Sequence, residues 1–170
     1  MKTILVTGPI GSGKSQVCRI LEDKGYPVYD SDFRTKELYA HCPELKSLLE
    51  KELSVKFEDL QIIFSDSEKR KKLEEIVYPL VRKDFEKFKE DNQESDTVFF
   101  ESAAAWQKPQ FKGCFDSVWL VEAPFQTRLQ RNPKVLQRNS LQDFNGLKAD
   151  KTITNDSTLD ELKRKIDTII

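Results

Sequence analysis

Gly8-Pro9-Ile10-Gly11-Ser12-Gly13-Lys14-Ser15 decides the reading of this chain. The stretch satisfies G-x-x-x-x-G-K-[ST] in full. Gly8 and Gly13 let the backbone turn so that successive N–H groups face inward. With the positive end of a following helix, those groups make an anion cradle. The stretch also supplies candidate nucleotide ligands. They are the backbone at Gly8, Ile10, Gly11, Ser12 and Gly13, the Lys14 ammonium for terminal phosphates, the Ser15 hydroxyl for Mg²⁺, and Gln16 just behind.

The flanks fit this reading. Ile4-Leu5-Val6 is a β-branched-rich apolar run that predicts a buried strand entering the loop. Lys14 to Lys24 carries Val17, Ile20 and Leu21 at helical spacing, and Gly25 is a stop signal. Pro27-Val28-Tyr29 predicts a second short strand. Strand, helix, strand in this space points to a βαβ unit and a parallel sheet.

Further along, Asp32 to Leu53 reads as helical with a break at Pro43. Ser65-Asp66-Ser67-Glu68 supplies capping residues for the most periodic segment, where Leu73, Ile76, Val77, Leu80, Val81, Phe85 and Phe88 recur every three or four residues. Pro79 lies inside that helix and is a candidate kink. Thr97-Val98-Phe99-Phe100 and Ser117-Val118-Trp119-Leu120-Val121 read as strands buried on both faces, and Thr152-Ile153-Thr154 as a fifth strand. Ser157-Thr158 precedes a closing amphipathic helix with Leu159, Leu162, Ile166 and Ile169. Arg131 to Lys148 is the least patterned stretch and reads as a loop or lid.

Composition removes other classes. The 170 residues favour one domain, and 28 Lys+Arg against 29 Asp+Glu give a formal charge of −1, which speaks against a general nucleic-acid or membrane-surface binder. No apolar run approaches the roughly 20 residues of a membrane-spanning helix, and the N-terminus does not read as a signal peptide. Cys18, Cys42 and Cys114 lack zinc spacing and read as thiols of a reducing cytoplasm. His41 is the single histidine, which excludes mechanisms needing several.

The loop alone does not choose a reaction, because GTPases, motor ATPases and small-molecule kinases share it. There is no Asn-Lys-x-Asp guanine-reading sequence. Nor does any long apolar run end in adjacent acids within the first 120 residues. Asp30-Ser31-Asp32 at the end of the second strand points to a kinase of small metabolites. Asp30, Asp32 and Glu101 all fall at carboxyl ends of strands, where ligands gather in open α/β sheets. One could take the proton of an attacking hydroxyl and another could hold Mg²⁺ through water. Asp32 also fits a helix N-cap for a segment starting at Phe33. Arg128, Arg131 and Arg138, at or within the lid, are candidates to stabilise transferred charge.

These residues resemble the dephospho-coenzyme A kinases over nearly the whole chain. Thr7 through Ser15 is similar to the family's opening, and Gly25-Tyr26-Pro27-Val28-Tyr29-Asp30-Ser31-Asp32 to its glycine, strand and Asp-x-Asp stretch. Leu73-Glu74-Glu75-Ile76-Val77-Tyr78-Pro79-Leu80-Val81-Arg82 resembles the family's Leu-Glu-x-Ile-x-His-Pro-Leu-x-Arg helix. Phe100-Glu101-Ser102-Ala103-Ala104 resembles a variant of its third-strand motif, and Asp116 to Val121 with Arg128-Leu129-Gln130-Arg131 its fourth strand and lid entry. Ala149-Asp150 with Ile153-Thr154-Asn155-Asp156 is similar to its nucleotide-base end.

The resemblance implies an α/β fold of the P-loop NTPase class: a three-layer sandwich whose five-stranded parallel sheet has helices on both faces. It implies a single domain over 1–170, with a helical acceptor-binding insertion at about 33–92 and a short lid at about 128–148. It further implies transfer of the γ-phosphate of ATP to the ribose 3′-hydroxyl of dephospho-CoA, with Mg²⁺, in the cytoplasm. Lys14, Arg128 and Arg131 would act on the phosphates and Asp32 would be the base. Asp32, Tyr78, Arg82 and Glu101 would line the acceptor site, and Asn155 would lie at the base end. Tyr78 stands where the family has histidine, Lys36 where it has arginine, and the lid is short. A P-loop kinase of another nucleoside-like acceptor, or a non-catalytic nucleotide binder, are the alternative readings.

Overall fold

The computed structural model describes residues 1–138 and 143–170, so residues 139–142 of the expected lid lie outside the described residues. Five strands are β1 (Lys2–Thr7), β2 (Val28–Asp30), β3 (Thr97–Glu101), β4 (Ser117–Glu122) and β5 (Lys151–Thr154). Seven α-helices among the described residues are α1 (Lys14–Asp23), α2 (Ser31–His41), α3 (Pro43–Leu53), α4 (Ser67–Asp91), α5 (Phe125–Arg131), α6 (Val135–Arg138) and α7 (Leu159–Ile169). The strands form one parallel sheet in the order β2-β3-β1-β4-β5. β1 is central and the phosphate loop leaves its carboxyl end, as the residues predict. Register aligns Val6 with Glu101 and Asp30 with Glu101, so the carboxyl ends of β1, β2 and β3 lie level.

The chain divides into two compact units, one of Met1–Asp30 with Asp91–Ile170 and one of Ser31–Glu90. In the first, strand alternation sorts the core. Ile4, Val6, Phe99, Trp119, Val121 and Ile153 pack with Val17, Ile20 and Leu21 of α1 and with Leu162 and Ile166 of α7. At the intervening positions Phe100 stacks on Tyr29, with ring centroids 5.0 Å apart. It also meets Phe111 and Phe115 at 5.5 and 5.2 Å. These runs are apolar throughout because both faces of the strands are covered.

In the second unit, α3 starts at Pro43, where the missing N–H costs nothing, and it buries Leu45, Leu49 and Leu53 at every fourth position. Asp66 caps α4 by accepting from the N–H groups of Glu68 and Lys69 at 3.1 and 3.0 Å. α4 runs through Pro79 and buries Val77, Val81 and Phe85. The Arg34 guanidinium of α2 grips the Asp84 carboxylate of α4 with both forks, at 2.8 and 2.7 Å.

Three local features differ from the expectation. α2 begins at Ser31, so Asp32 sits in the first turn and is not the N-cap. Phe57–Ser65 forms a 3₁₀ run too irregular for a 3.6-residue period to reveal. The unpatterned Arg131–Lys148 stretch contains α6, a single turn entered at Pro133 and closed by Arg138 N–H on Lys134 O at 3.0 Å. One turn is too short to show periodicity. No helix among the described residues is long and apolar enough to cross a membrane.

Candidate active site

The loop between β1 and α1 takes its shape from two close approaches. A Cβ on Gly8 would lie 2.0 Å from Val121 O, and one on Gly13, where φ is +98°, would lie 2.0 Å from Asn155 Nδ2. Only glycine fits at either position. Gly13 is the N-cap of α1, so Lys14 and Ser15 open the helix at its positive end. Lys14 Nζ donates to Gly8 O at 2.9 Å and to Pro9 O at 3.4 Å, which keeps the ammonium over the loop.

Ser15 Oγ donates to Glu101 Oε1 at 2.9 Å. The Glu101 carboxyl is largely buried, and burial lifts its pKa. Asp30, beside it in register, lifts it further, while Ser15, Lys14 and the Cys18 thiol pull the other way; the net direction is up. Burial, and then Glu101, push the Cys18 thiol well above its ordinary pKa, so it stays protonated. Cys18 was not among the residues expected at the site. Its spacing could have shown it, because Ser15 and Cys18 are i and i+3 on α1 and share a face.

The outer side of the loop is held by carbonyl contacts. Arg128, almost buried, donates from Nη1 to Ile10 O at 3.4 Å and lies over the Phe125 ring, 5.5 Å from its centroid. Arg131 Nη1 reaches Gly11 O and Ser12 O at 3.5 and 3.4 Å, and its Nη2 reaches Asn155 O at 3.2 Å. Asn155 Nδ2 donates to Ser12 O at 2.9 Å. Ile10, Gly11, Ser12, Gly13, Lys14, Ser15, Glu101, Arg128, Arg131 and Asn155 therefore come together in the first unit. Gln16 follows Ser15 on α1, and Gly13 O accepts its N–H at 3.0 Å. Arg138 ends α6.

Asp32, Tyr78 and Arg82 belong to the second unit. Asp32 and Arg82 are exposed. Burial raises the Tyr78 phenol, and the carboxylates of Glu74 and Asp32 add to the shift, so the phenol keeps its proton in the physiological range.

A parallel sheet whose central strand feeds a glycine loop and a Lys-Ser helix start defines an α/β protein of the P-loop nucleotide-binding class. The dephospho-CoA kinase family model matches residues 2–169. A dephospho-CoA kinase from Porphyromonas gingivalis is 37% identical over 140 residues, covering 77% of this chain and 68% of its own. One from Listeria monocytogenes is 31% identical, covering 99% of this chain and 87% of its own. The crystal structure of TT1252 from Thermus thermophilus superposes with a TM-score of 0.82 at 29% identity, over 99% of this chain and 95% of that one. The chain belongs to the dephospho-CoA kinase family.

Proposed function

We propose that this chain transfers the γ-phosphoryl group of ATP to the ribose 3′-hydroxyl of dephospho-CoA, giving coenzyme A and ADP. What carries the reading is the complete phosphate loop, with Lys14 and Ser15 in place, inside a family match that spans nearly the whole chain. Lys36 in place of the family's arginine and the short lid lean toward a non-catalytic nucleotide binder, but the retained Lys14, Ser15 and Asp32 count against it.

The loop amides and Lys14 bind the phosphates and orient the terminal one. Asp32 accepts the proton of the 3′-hydroxyl as its oxygen bonds to the γ-phosphorus. The bond from that phosphorus to the bridging oxygen breaks, and ADP leaves with the electron pair. Arg128 and Arg131 bring positive charge to the loop as negative charge develops. Tyr78 and Arg82, in a helical insertion at about 33–92, and Glu101, at the end of β3, contact the acceptor. The 128–148 segment serves as the lid that excludes water.

The residues fit Mg²⁺. The Ser15 hydroxyl and the Glu101 carboxyl are hard oxygen donors 2.9 Å apart, and Asp30 is Glu101's register partner. Among the described residues no cluster of three or more acids, histidines or thiols could cage a metal, which suits an ion shared with substrate phosphates. Bound there, Mg²⁺ would neutralise phosphate charge, held by Ser15 and, through water, by a carboxylate. The cytoplasm is the compartment we assign, in keeping with three free cysteines.

ADP release with ATP and Mg²⁺ is the test, run with dephospho-CoA and with a panel of nucleosides and nucleotides. Release that depends on dephospho-CoA is expected. Release with another acceptor alone, or with none, would overturn the assignment.

A further inference from the structure

We propose that Asn155 is a positioning residue that aims the phosphate loop from behind. This rests on the loop being the ATP site, as proposed above, and it replaces the expectation that Asn155 serves the nucleotide base.

A peptide unit is planar and trans, so its C=O and N–H point in opposite directions. Whatever holds the carbonyl of Ser12 therefore also sets the direction of the Gly13 N–H. Asn155 Nδ2 donates to Ser12 O at 2.9 Å in a buried hydrogen bond. The Gly13 N–H consequently points away from Asn155. A donor on the carbonyl also polarises the peptide and strengthens the N–H as a donor.

Asn155 is itself held firmly. Its N–H donates to Glu122 O at 2.8 Å, which continues the pairing of β4 with β5. Its carbonyl accepts from Arg131 Nη2 at 3.2 Å, and its Oδ1 lies 3.5 Å from the same nitrogen. Both ends of the carboxamide are thus engaged inside the protein, and the residue is 7% exposed. It also presses on the loop: a Cβ at Gly13 would meet Nδ2 at 2.0 Å. Nδ2 faces the Ser12 carbonyl and Oδ1 faces the Arg131 guanidinium, so the carboxamide is oriented by the loop and by α5.

The two roles predict different binding losses. Asn155→Leu keeps the branched shape of the side chain and deletes both its donors and its acceptor. Its affinity is measured calorimetrically, with Mg²⁺, for ATP, GTP and inorganic tripolyphosphate, and separately for dephospho-CoA. Positioning predicts that all three phosphate ligands weaken by the same factor, about tenfold, the effect of one lost buried hydrogen bond. Affinity for dephospho-CoA stays unchanged. Weakening confined to ATP, with tripolyphosphate unaffected, would overturn the proposal in favour of base contact, and unchanged affinity for all three would overturn it outright. Should Asn155→Leu fail to melt cooperatively, Asn155→Ser carries the same comparison. Failure of both to fold would make the role purely structural and also overturn it. Wild-type protein that bound none of the three ligands would remove the nucleotide site itself, a result distinct from any variant effect.

Discussion

Ser15 Oγ donates to Glu101 Oε1 at 2.9 Å, joining the last residue of the phosphate loop to the last residue of β3. The Glu101 carboxyl is held above its ordinary pKa, first by burial and then by Asp30. A raised carboxyl pKa means that the folded state disfavours the ionised form. The stability it contributes is therefore complete below the unfolded value of 4.5 and is lost as pH rises through the folded pKa. Glu101→Gln keeps an acceptor for Ser15 and removes the ionisation. Thermal melts should show the variant more stable than wild type at neutral pH, with the gain vanishing below the ordinary glutamate pKa. The same variant should lose turnover if Glu101 holds Mg²⁺ through water as proposed above.

Asp32 stands in the first turn of α2, exposed and not tied up as an N-cap. A general base contributes roughly 10²–10⁴-fold to rate. Asp32→Ala should lower kcat by a factor in that range and leave ATP affinity intact, as steady-state kinetics and nucleotide titration would show. Unchanged kcat would remove Asp32 from the base role.

Gly13 has φ of +98° and Asn155 Nδ2 2.0 Å from where a Cβ would be. Gly13→Ala should cost stability on the order of 1–3 kcal/mol, the scale of a strained backbone position. It should also abolish measurable ATP binding, because the loop must shift to admit the methyl group. Denaturant unfolding with and without ATP reads both effects.

Within the second unit, Arg34 and Asp84 form a two-forked pair whose side chains are 39% and 15% exposed. Partial exposure limits what the pair contributes. A double-mutant cycle with Arg34→Ala and Asp84→Ala should give a coupling of about 0.5–1 kcal/mol, smaller at high salt.

Much of this fold could be read locally. The glycine loop, the βαβ order and the apolar runs at 97–100 and 117–121 are short-range patterns, each tied to one backbone conformation. The capping role of Asp66 was legible for the same reason. The site's cross-links were not. Ser15 meets Glu101 across 86 residues and Asn155 meets Ser12 across 143, and no spacing rule spans such distances. Asn155 was visible as a residue near the nucleotide, but its contact with the loop's carbonyl side emerges only once β5 is paired with β4. Arg128 and Arg131 were read as candidates for transferred charge; that they rest on loop carbonyls depends on how α5 packs. The i, i+3 spacing makes Cys18 legible as a neighbour of Ser15 on one face of α1, but its contact with Glu101, remote in sequence, is not.

The central claim is that a phosphoryl group passes from ATP to the 3′-oxygen of dephospho-CoA. The most direct measurement is mass spectrometry and phosphorus NMR of the product formed with ATP, Mg²⁺ and dephospho-CoA, in wild type and in Asp32→Ala. We predict one new phosphomonoester on the ribose 3′-oxygen, identical to coenzyme A, formed by wild type and nearly lost in the variant. Unmodified dephospho-CoA, recovered from a protein that demonstrably binds ATP, would contradict it.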